Sequence, residues 1–428
     1  MNKFKTIAVS SASLLAACGI SLGTASASDE PFAVGFATFL SGPVSGPVGA
    51  PSRNGVELIA EAINDGSLPA PYSGQGIGGR ELTIQYVDEA SEALDEYRNL
   101  VTRSGVDAVI GYASSGSCVS IAPEAEASET LTLFYYCGST RIFEEDTREY
   151  VFRTMNSQDV ENIAAAHYLA EFHPDANTVA GINQNYGWGQ DSWRDFVSAS
   201  TQLNPDTEVS VELWPQLFSG QYGSELTRLA RAGSDILHTS FWGGDLDAFL
   251  LQSAPRGLLE DQIGVLTTGG TAYASIADQI PDGTIIGVRG NGGALSADSP
   301  MNDWFRESYI EKFGEEPTFP AYYGAQALLA LKAAGDLAAS EAGEPPSVDQ
   351  VRLSLKGIEY EAPTGTVSLS RHNGHQAATE LAYGRVQRVD GTPTLVDIRR
   401  YSPECVVAPD GFTSREWIEA GFPGAQCN

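Results

Sequence analysis

Apolar runs that read as strands alternate with helix-period segments along this chain, and the alternation runs through twice. FAVGFATFL (32–40) predicts a buried strand. RNGVELIAEAIND (53–65) places Val56, Leu58, Ile59, Ala62 and Ile63 on one broad helical face. RELTIQYVD alternates as a strand, and EASEALDEYRNLVTRSG reads as an amphipathic helix ending at a glycine cap. VDAVIGYA, CVSIAPEAEASE and TLTLFYY continue as strand, helix and strand. The pattern restarts at DVENIAAAHYLAEFHP and NTVAGINQN and runs on to IGVLTTGG and TIIGVRGNG. Such alternation predicts an α/β fold of doubly wound parallel sheets. Two stretches of similar length, in a chain of 428 residues, predict two lobes and not one core.

Charge narrows the partners. With 55 acidic against 25 basic residues, the net charge is −30. Nucleic acid is excluded as a partner, because neutralising phosphates takes Lys and Arg. The surplus acid reads as a solvated surface suited to salty water.

Lys3 and Lys5, the small and apolar residues that follow, and Ala25-Ser26-Ala27 predict an export signal at 1–27, cleaved after Ala27. Leu15-Ala16-Ala17-Cys18 offers a second processing site, at which Cys18 would be acylated. No other run is apolar and long enough to span a bilayer. Export leaves Cys118, Cys137, Cys405 and Cys427, an even set that predicts two disulfides. Pairing neighbours, Cys118–Cys137 and Cys405–Cys427, is the economical choice among three connectivities; buried free thiols are the alternative.

Several catalytic patterns fail. Gly74, Gly76 and Gly79 match G-x-G-x-x-G, but a strand follows where a dinucleotide loop needs a helix, so the stretch reads as a turn. Tyr112-Ala113-Ser114-Ser115-Gly116 puts tyrosine where a nucleophile elbow needs glycine. Five histidines are present, and none has a claim on Ser114 or Ser115 as a base. His372 and His375 lie in SRHNGHQ, which reads as an exposed or turn-bonding pair and not a metal site. No cofactor and no metal are expected.

What remains are clusters of small hydroxyl residues at strand ends, SSGS after VIGYA and GST after TLTLFYY. With VGFATFLSGPV, GRELTIQYVDEAS, NYGWGQ, AYYGAQALLAL and GTVSLSRHNGHQA, in that spacing, the chain resembles the periplasmic solute-binding proteins of the branched-chain amino-acid type, receptors of ABC importers. The resemblance implies a type I periplasmic binding fold: two doubly wound lobes joined by three crossover strands, with a small solute gripped in the cleft at strand ends. It implies Ser115 and Thr140 as hydroxyl anchors, with Ser114, Gly138 and Ser139 beside them. From the second lobe it implies Tyr186, Trp188, Phe241 and Trp242, completed by Gly269 and Gly270. The plainer reading is that the hydroxyls cap helices and turns and that the aromatics are core.

The crossovers are expected near 153–156, 288–291 and 363–366. That gives lobe 1 as 30–154 plus 289–363, lobe 2 as 155–288 plus 364–401, and an extension at 402–428. Amino-acid-binding members carry an acid in the later lobe-two loop. Here that loop reads LTTGGTAYA, and Asp245 is the one nearby substitute. A buried ammonium without a counter-charge is costly. The expected solute is therefore a small or aromatic carboxylate, or an amide, bound by hinge closure without chemistry. The partner implied is an inner-membrane ABC permease, and the protein is expected to be a periplasmic monomer. A sensor of the same fold feeding a kinase or chemoreceptor, and a serine hydrolase, are the competing functions.

Overall fold

A computed structural model describes residues 30–427, so the export signal and Cys18 lie outside the described residues. The first α/β unit supplies β1 (Phe32–Thr38), β2 (Leu82–Asp88), β3 (Ala108–Gly111), β4 (Leu131–Phe134) and β5 (Val151–Arg153). The second supplies β6 (Thr178–Ile182), β7 (Glu208–Leu213), β8 (Ile236–Thr239), β9 (Ile263–Leu266) and β10 (Ile285–Gly287). Both run parallel, in the spatial orders β2-β1-β3-β4-β5 and β7-β6-β8-β9-β10. The two lobes therefore repeat one topology. β3, β4 and β8 are buried at every residue, as strands covered by helices on both faces must be.

The chain then returns to the first sheet. β11 (Glu359–Ala362), β12 (Gly365–Arg371) and β13 (Gln376–Ala378) extend its edge, while β14 (Leu381–Val389) and β15 (Thr392–Tyr401) extend the second sheet beyond β10. This corrects the expected boundary. Residues 365–378 belong to the first sheet, because β12 pairs with β11 and β13 pairs with β5. The third crossover thus lies between β13 and β14 and not at 363–366. The glycine-rich stretch at 74–79 is a turn, pinned where Asp336 Oδ1 accepts from Gly78 N at 3.2 Å and from Lys332 Nζ at 3.0 Å. Helix Ala50–Asp65 packs against helix Phe319–Ala342 so closely that a Cβ on Gly55 would lie 2.2 Å from the Ala321 carbonyl oxygen.

One side chain holds the three crossovers together. Asn156 Nδ2 donates to the Arg289 carbonyl at 3.2 Å and to the Thr379 carbonyl at 3.0 Å, and its Oδ1 accepts from Thr379 N at 3.0 Å. Asn156 is 1% exposed, so no water replaces a lost bond. Both disulfides form as neighbour pairs, Cys118–Cys137 and Cys405–Cys427. The second staples the extension, whose Trp417 and Ile418 enter the second lobe's core. Among the described residues, no helix is long and apolar enough to cross a membrane.

Asn156→Ala is expected to cost about 2–4 kcal/mol of stability in urea denaturation, since it strips partners from groups in two crossovers. A loss below about 0.5 kcal/mol would remove Asn156 from the hinge account.

Acid should weaken the second lobe at His238. The ring is fully buried, stacks on Phe196 at 4.2 Å, and bridges Asn162 Oδ1 at 2.9 Å and Asn183 Nδ2 at 3.5 Å. Burial pushes its pKa down to about 3 from 6.5. The folded state then binds the proton less well than the unfolded chain. Its stabilisation is complete above pH about 6.5 and is lost as pH falls toward 3, by up to about 1.4 kcal/mol per pH unit. His238→Gln should flatten the fall of the urea midpoint between pH 6 and pH 4 relative to the parent. Parallel falls in both would contradict this.

Candidate functional site

In open α/β sheets ligands bind beyond the carboxyl ends of strands, where the strand order reverses. Those points lie between β1 and β3 in one lobe and between β6 and β8 in the other. The loops leaving these strands, and those leaving β4 and β9, face one another across the lobe boundary. Phe39 reaches Trp242 with ring centroids 6.1 Å apart. A Cβ on Gly138 would lie 2.6 Å from the Trp188 ring, so glycine is what allows this approach. Trp188, Trp242 and Val288 share one buried cluster with Tyr135, Tyr136 and Phe319 of the first lobe.

An arginine sits at the centre. Arg289, on the crossover after β10, donates from Nε to Glu161 Oε2 at 2.9 Å and from Nη1 to the Tyr136 carbonyl. Its guanidinium lies 4.3 Å from the centre of the Trp188 ring and 5.5 Å from that of Tyr136. Tyr136 stacks on Phe319 at 5.6 Å and 11°. Tyr186 Oη accepts from Trp242 Nε1 at 2.9 Å. Arg289 is 4% exposed and Glu161 fully buried. Burial, opposed in part by the Arg289 charge, leaves the Glu161 carboxyl raised to about 7. Among the described residues, nothing hydrogen-bonds Glu161 Oε1 or Tyr323 Oη, and Arg289 Nη2 makes no hydrogen bond. The site thus offers a cationic donor, a carboxylate acceptor and a phenol inside aromatic walls. That set suits gripping a flat polar solute.

The sequence-derived candidates divide. Ser115 Oγ accepts from Gly138 N at 3.3 Å and Ser139 N at 3.2 Å, so it ties the two strand-end clusters to each other. Ser114 stands at the N-cap position of helix Ser115–Ala127 without a side-chain capping bond; its N–H, with that of Ala113, is taken by Glu89 at 2.8 and 2.7 Å. The carbonyl of Ser139 accepts from Arg153 at 2.7 Å, and Thr140 N donates to Gln158 Oε1 at 3.2 Å, which joins lobe to lobe. Tyr186, Trp188 and Trp242 meet at the lobe boundary. A Cβ on Gly270 would press on Val288 at 2.4 Å and Phe319 at 3.0 Å. Phe241 and Gly269 point elsewhere. Phe241 is fully buried against Tyr222 and Phe249 within the second lobe, and Gly269 lies against Leu266 and Ile286. Adjacent residues leaving a strand face opposite ways, so Phe241 and Trp242 could not both line the cleft.

Asp245 does not supply the missing acid. It accepts from Gln184 Nε2 and Phe218 N, both at 2.7 Å, and holds a loop. The acid at the boundary is Glu161, from helix Gln158–Phe172, which sequence reading passed over along with Arg289. The signal for Arg289 was present: one arginine in the apolar, glycine-rich TIIGVRGNGG, at a place already marked as a crossover. Helical period gave no such signal for Glu161, because its helix is buried on nearly all sides. Of the exposed or turn-bonding readings of His372 and His375 the structure gives the turn, in which His375 N donates to the Arg371 carbonyl at 3.0 Å; the His375 ring is 1% exposed and stacks on Phe152 at 4.4 Å. Among the described residues, no histidine hydrogen-bonds Ser114 or Ser115. His167, Cys405 and Cys427 cluster closely enough to hold a metal, but both sulfurs are tied in the disulfide.

A salt bridge crosses from lobe to lobe. Arg141, from the short helix Arg141–Glu144, grips Asp191 of helix Gly187–Leu203 through two bonds of 2.9 and 3.1 Å. Arg141 is partly exposed, so water weakens the pair to about 1 kcal/mol of preference for this arrangement of the lobes. Small-angle scattering of Arg141→Gln should show a larger radius of gyration than the parent. An identical radius would mean that the pair does not hold the lobes together.

The periplasmic binding protein family model matches residues 31–392. No curated protein matches the sequence. Among solved structures, the chain is similar to a solute-binding protein of an ABC transporter from Rhodopseudomonas palustris BisB5, in complex with 3,4-dihydroxybenzoic acid. Identity is 20%, the TM-score 0.76, and coverage 89% of this chain and 99% of that one. A second R. palustris solute-binding protein, in complex with 4-hydroxybenzoate, gives 18% identity, TM-score 0.74 and coverage of 87% and 97%. A leucine-binding protein from Thermotoga maritima MSB8 gives 16%, 0.70, and 86% and 98%. The chain therefore belongs to the periplasmic binding protein family, with the two-lobed type I fold of ABC-transporter solute-binding proteins.

Proposed function

We propose that this protein is the extracytoplasmic receptor of an ABC importer and that its solute is a small aromatic carboxylate. The observation that carries the reading is the Arg289 guanidinium, buried at the lobe boundary between Trp188 and Tyr136 with Phe319, Tyr186 and Trp242 close by. Arginine pairs with carboxylates through two parallel bonds, and among the described residues Arg289 Nη2 makes none. Aromatic walls favour a flat ring, and the similar structures that carry benzoic acids support the same class. Ser114, Ser115, Gly138, Ser139 and Thr140 act in this reading mainly as the scaffold that sets Tyr136 and Arg289.

The free Glu161 Oε1 favours a second reading, in which a primary amide offers its N–H₂ to Glu161 and its carbonyl to Arg289. In either case closure selects the bound form, and no bond in the solute is broken. The receptor works as a monomer against an inner-membrane permease, after export and cleavage behind Ala27 or anchoring at Cys18.

Calorimetry against benzoate, 4-hydroxybenzoate, benzamide and leucine tests this. Benzoates should bind most tightly, and Arg289→Gln should lose about 2–4 kcal/mol of that binding. Trp188→Leu, which leaves the ion pair whole, should lose a smaller part. Tight leucine binding with no response to any aromatic acid would overturn the reading; preference for benzamide would select the amide.

A further inference from the structure

A cavity of about 240 Å³ lies beside the first crossover, lined by none of the aromatic-site residues. One wall is Phe143 and Glu144 of the first lobe, with Arg371 and His372 from the end of β12 and its turn. The opposite wall is residues 407–413 and Glu416 of the extension. The family match ends at residue 392, ahead of this wall.

Glu144, Asp159, Asp410 and Glu416 line the cavity with Arg371, and the buried Arg153 guanidinium, 5.3 Å from the centre of the Phe143 ring, sets a second positive charge beside Asp159 and Glu144. Asp159 is 3% exposed, and among the described residues nothing hydrogen-bonds its Oδ1. A buried carboxylate oxygen without a donor is costly, and an incoming cation offsets that cost. His372 adds no charge, because burial pushes it down to about 4. The cation is not a compact metal ion. Among the described residues, these carboxylates bring no three oxygens within 4.8 Å of one another. The remaining walls are aromatic: Phe143 and His372 stack at 5.6 Å, and Phe412 stands at the rim, 38% exposed. Carboxylates combined with ring faces are what a methylated ammonium takes. The space equals about eight waters at roughly 30 Å³ each, enough for such an ion.

We infer that this cavity is a site for a small organic ammonium ion, separate from the solute cleft and built by the carboxyl-terminal extension. Its walls move with different lobes. The extension is packed into the second lobe's core, while Glu144 reaches across from the first to accept from Ser414 N at 2.7 Å. An ion bound here favours the arrangement of lobes that closes the cavity.

The test is thermal unfolding of the full mature protein with choline chloride, tetramethylammonium chloride, NaCl or MgCl₂ at matched ionic strength. Choline and tetramethylammonium should raise Tm beyond NaCl, with saturation. Asp159→Asn and Phe412→Ala should each weaken choline binding at least tenfold by calorimetry. Phe412 lies at the rim, so its variant keeps the test meaningful if Asp159→Asn folds poorly. Equal stabilisation by NaCl, saturation by MgCl₂ at far lower concentration than choline, or parental choline affinity in both variants would each overturn the inference.

Discussion

Two sheets that share no strand can face each other in a fixed way only if the segments between them are held in register. Here that task falls on one buried amide. Asn156, on the first crossover, is bonded to the second at Arg289 and to the third at Thr379. The backbone that Asn156 holds is the backbone that carries Arg289 to the lobe boundary. Hinge and candidate binding group are therefore adjacent in sequence and in space. A change in how the lobes sit is felt at Arg289, and a group bound to Arg289 biases how the lobes sit.

Burying Arg289 and Glu161 is costly. Each ion loses several kcal/mol of hydration, and a bond of 2.9 Å between them recovers that only in part. A pair of apolar residues would suit stability as well or better. That the chain keeps a charged pair between stacked rings argues for recognition and not for packing. The Ser115 cluster shows the opposite case. Its hydroxyl and the facing amide groups satisfy one another, and Glu89 takes the N–H groups of Ala113 and Ser114 just ahead of the helix. The disulfide Cys118–Cys137 fastens the same two strand ends. Small hydroxyl residues lie there because two strand ends must approach closely and still pair their backbone.

Much of the fold was legible because long apolar runs have only one use in an exported α/β chain. β1, β2 and β6 lie where alternation puts them, and neighbour pairing, the economical choice among three connectivities, is the one that forms. Very short strands were not legible. β5 and β13 have three residues each, too few for a period, and β13 decides the third crossover. The site was legible in part. Tyr186, Trp188 and Trp242 belong to the boundary, but sequence cannot say which of two adjacent aromatics turns inward, so Phe241 was misplaced. Arg289 and Glu161 escaped because attention to strand-end loops overlooks a crossover and a buried helix.

The account stands or falls on what Arg289 holds. A crystal structure of the protein with 4-hydroxybenzoate tests it most directly. The account predicts the carboxylate within hydrogen-bonding distance of the Arg289 guanidinium and the ring against Trp188 or Tyr136. A carboxylate bound instead on the Ser114–Thr140 strand ends, with Arg289 still engaged only by Glu161 and the Tyr136 carbonyl, would contradict it.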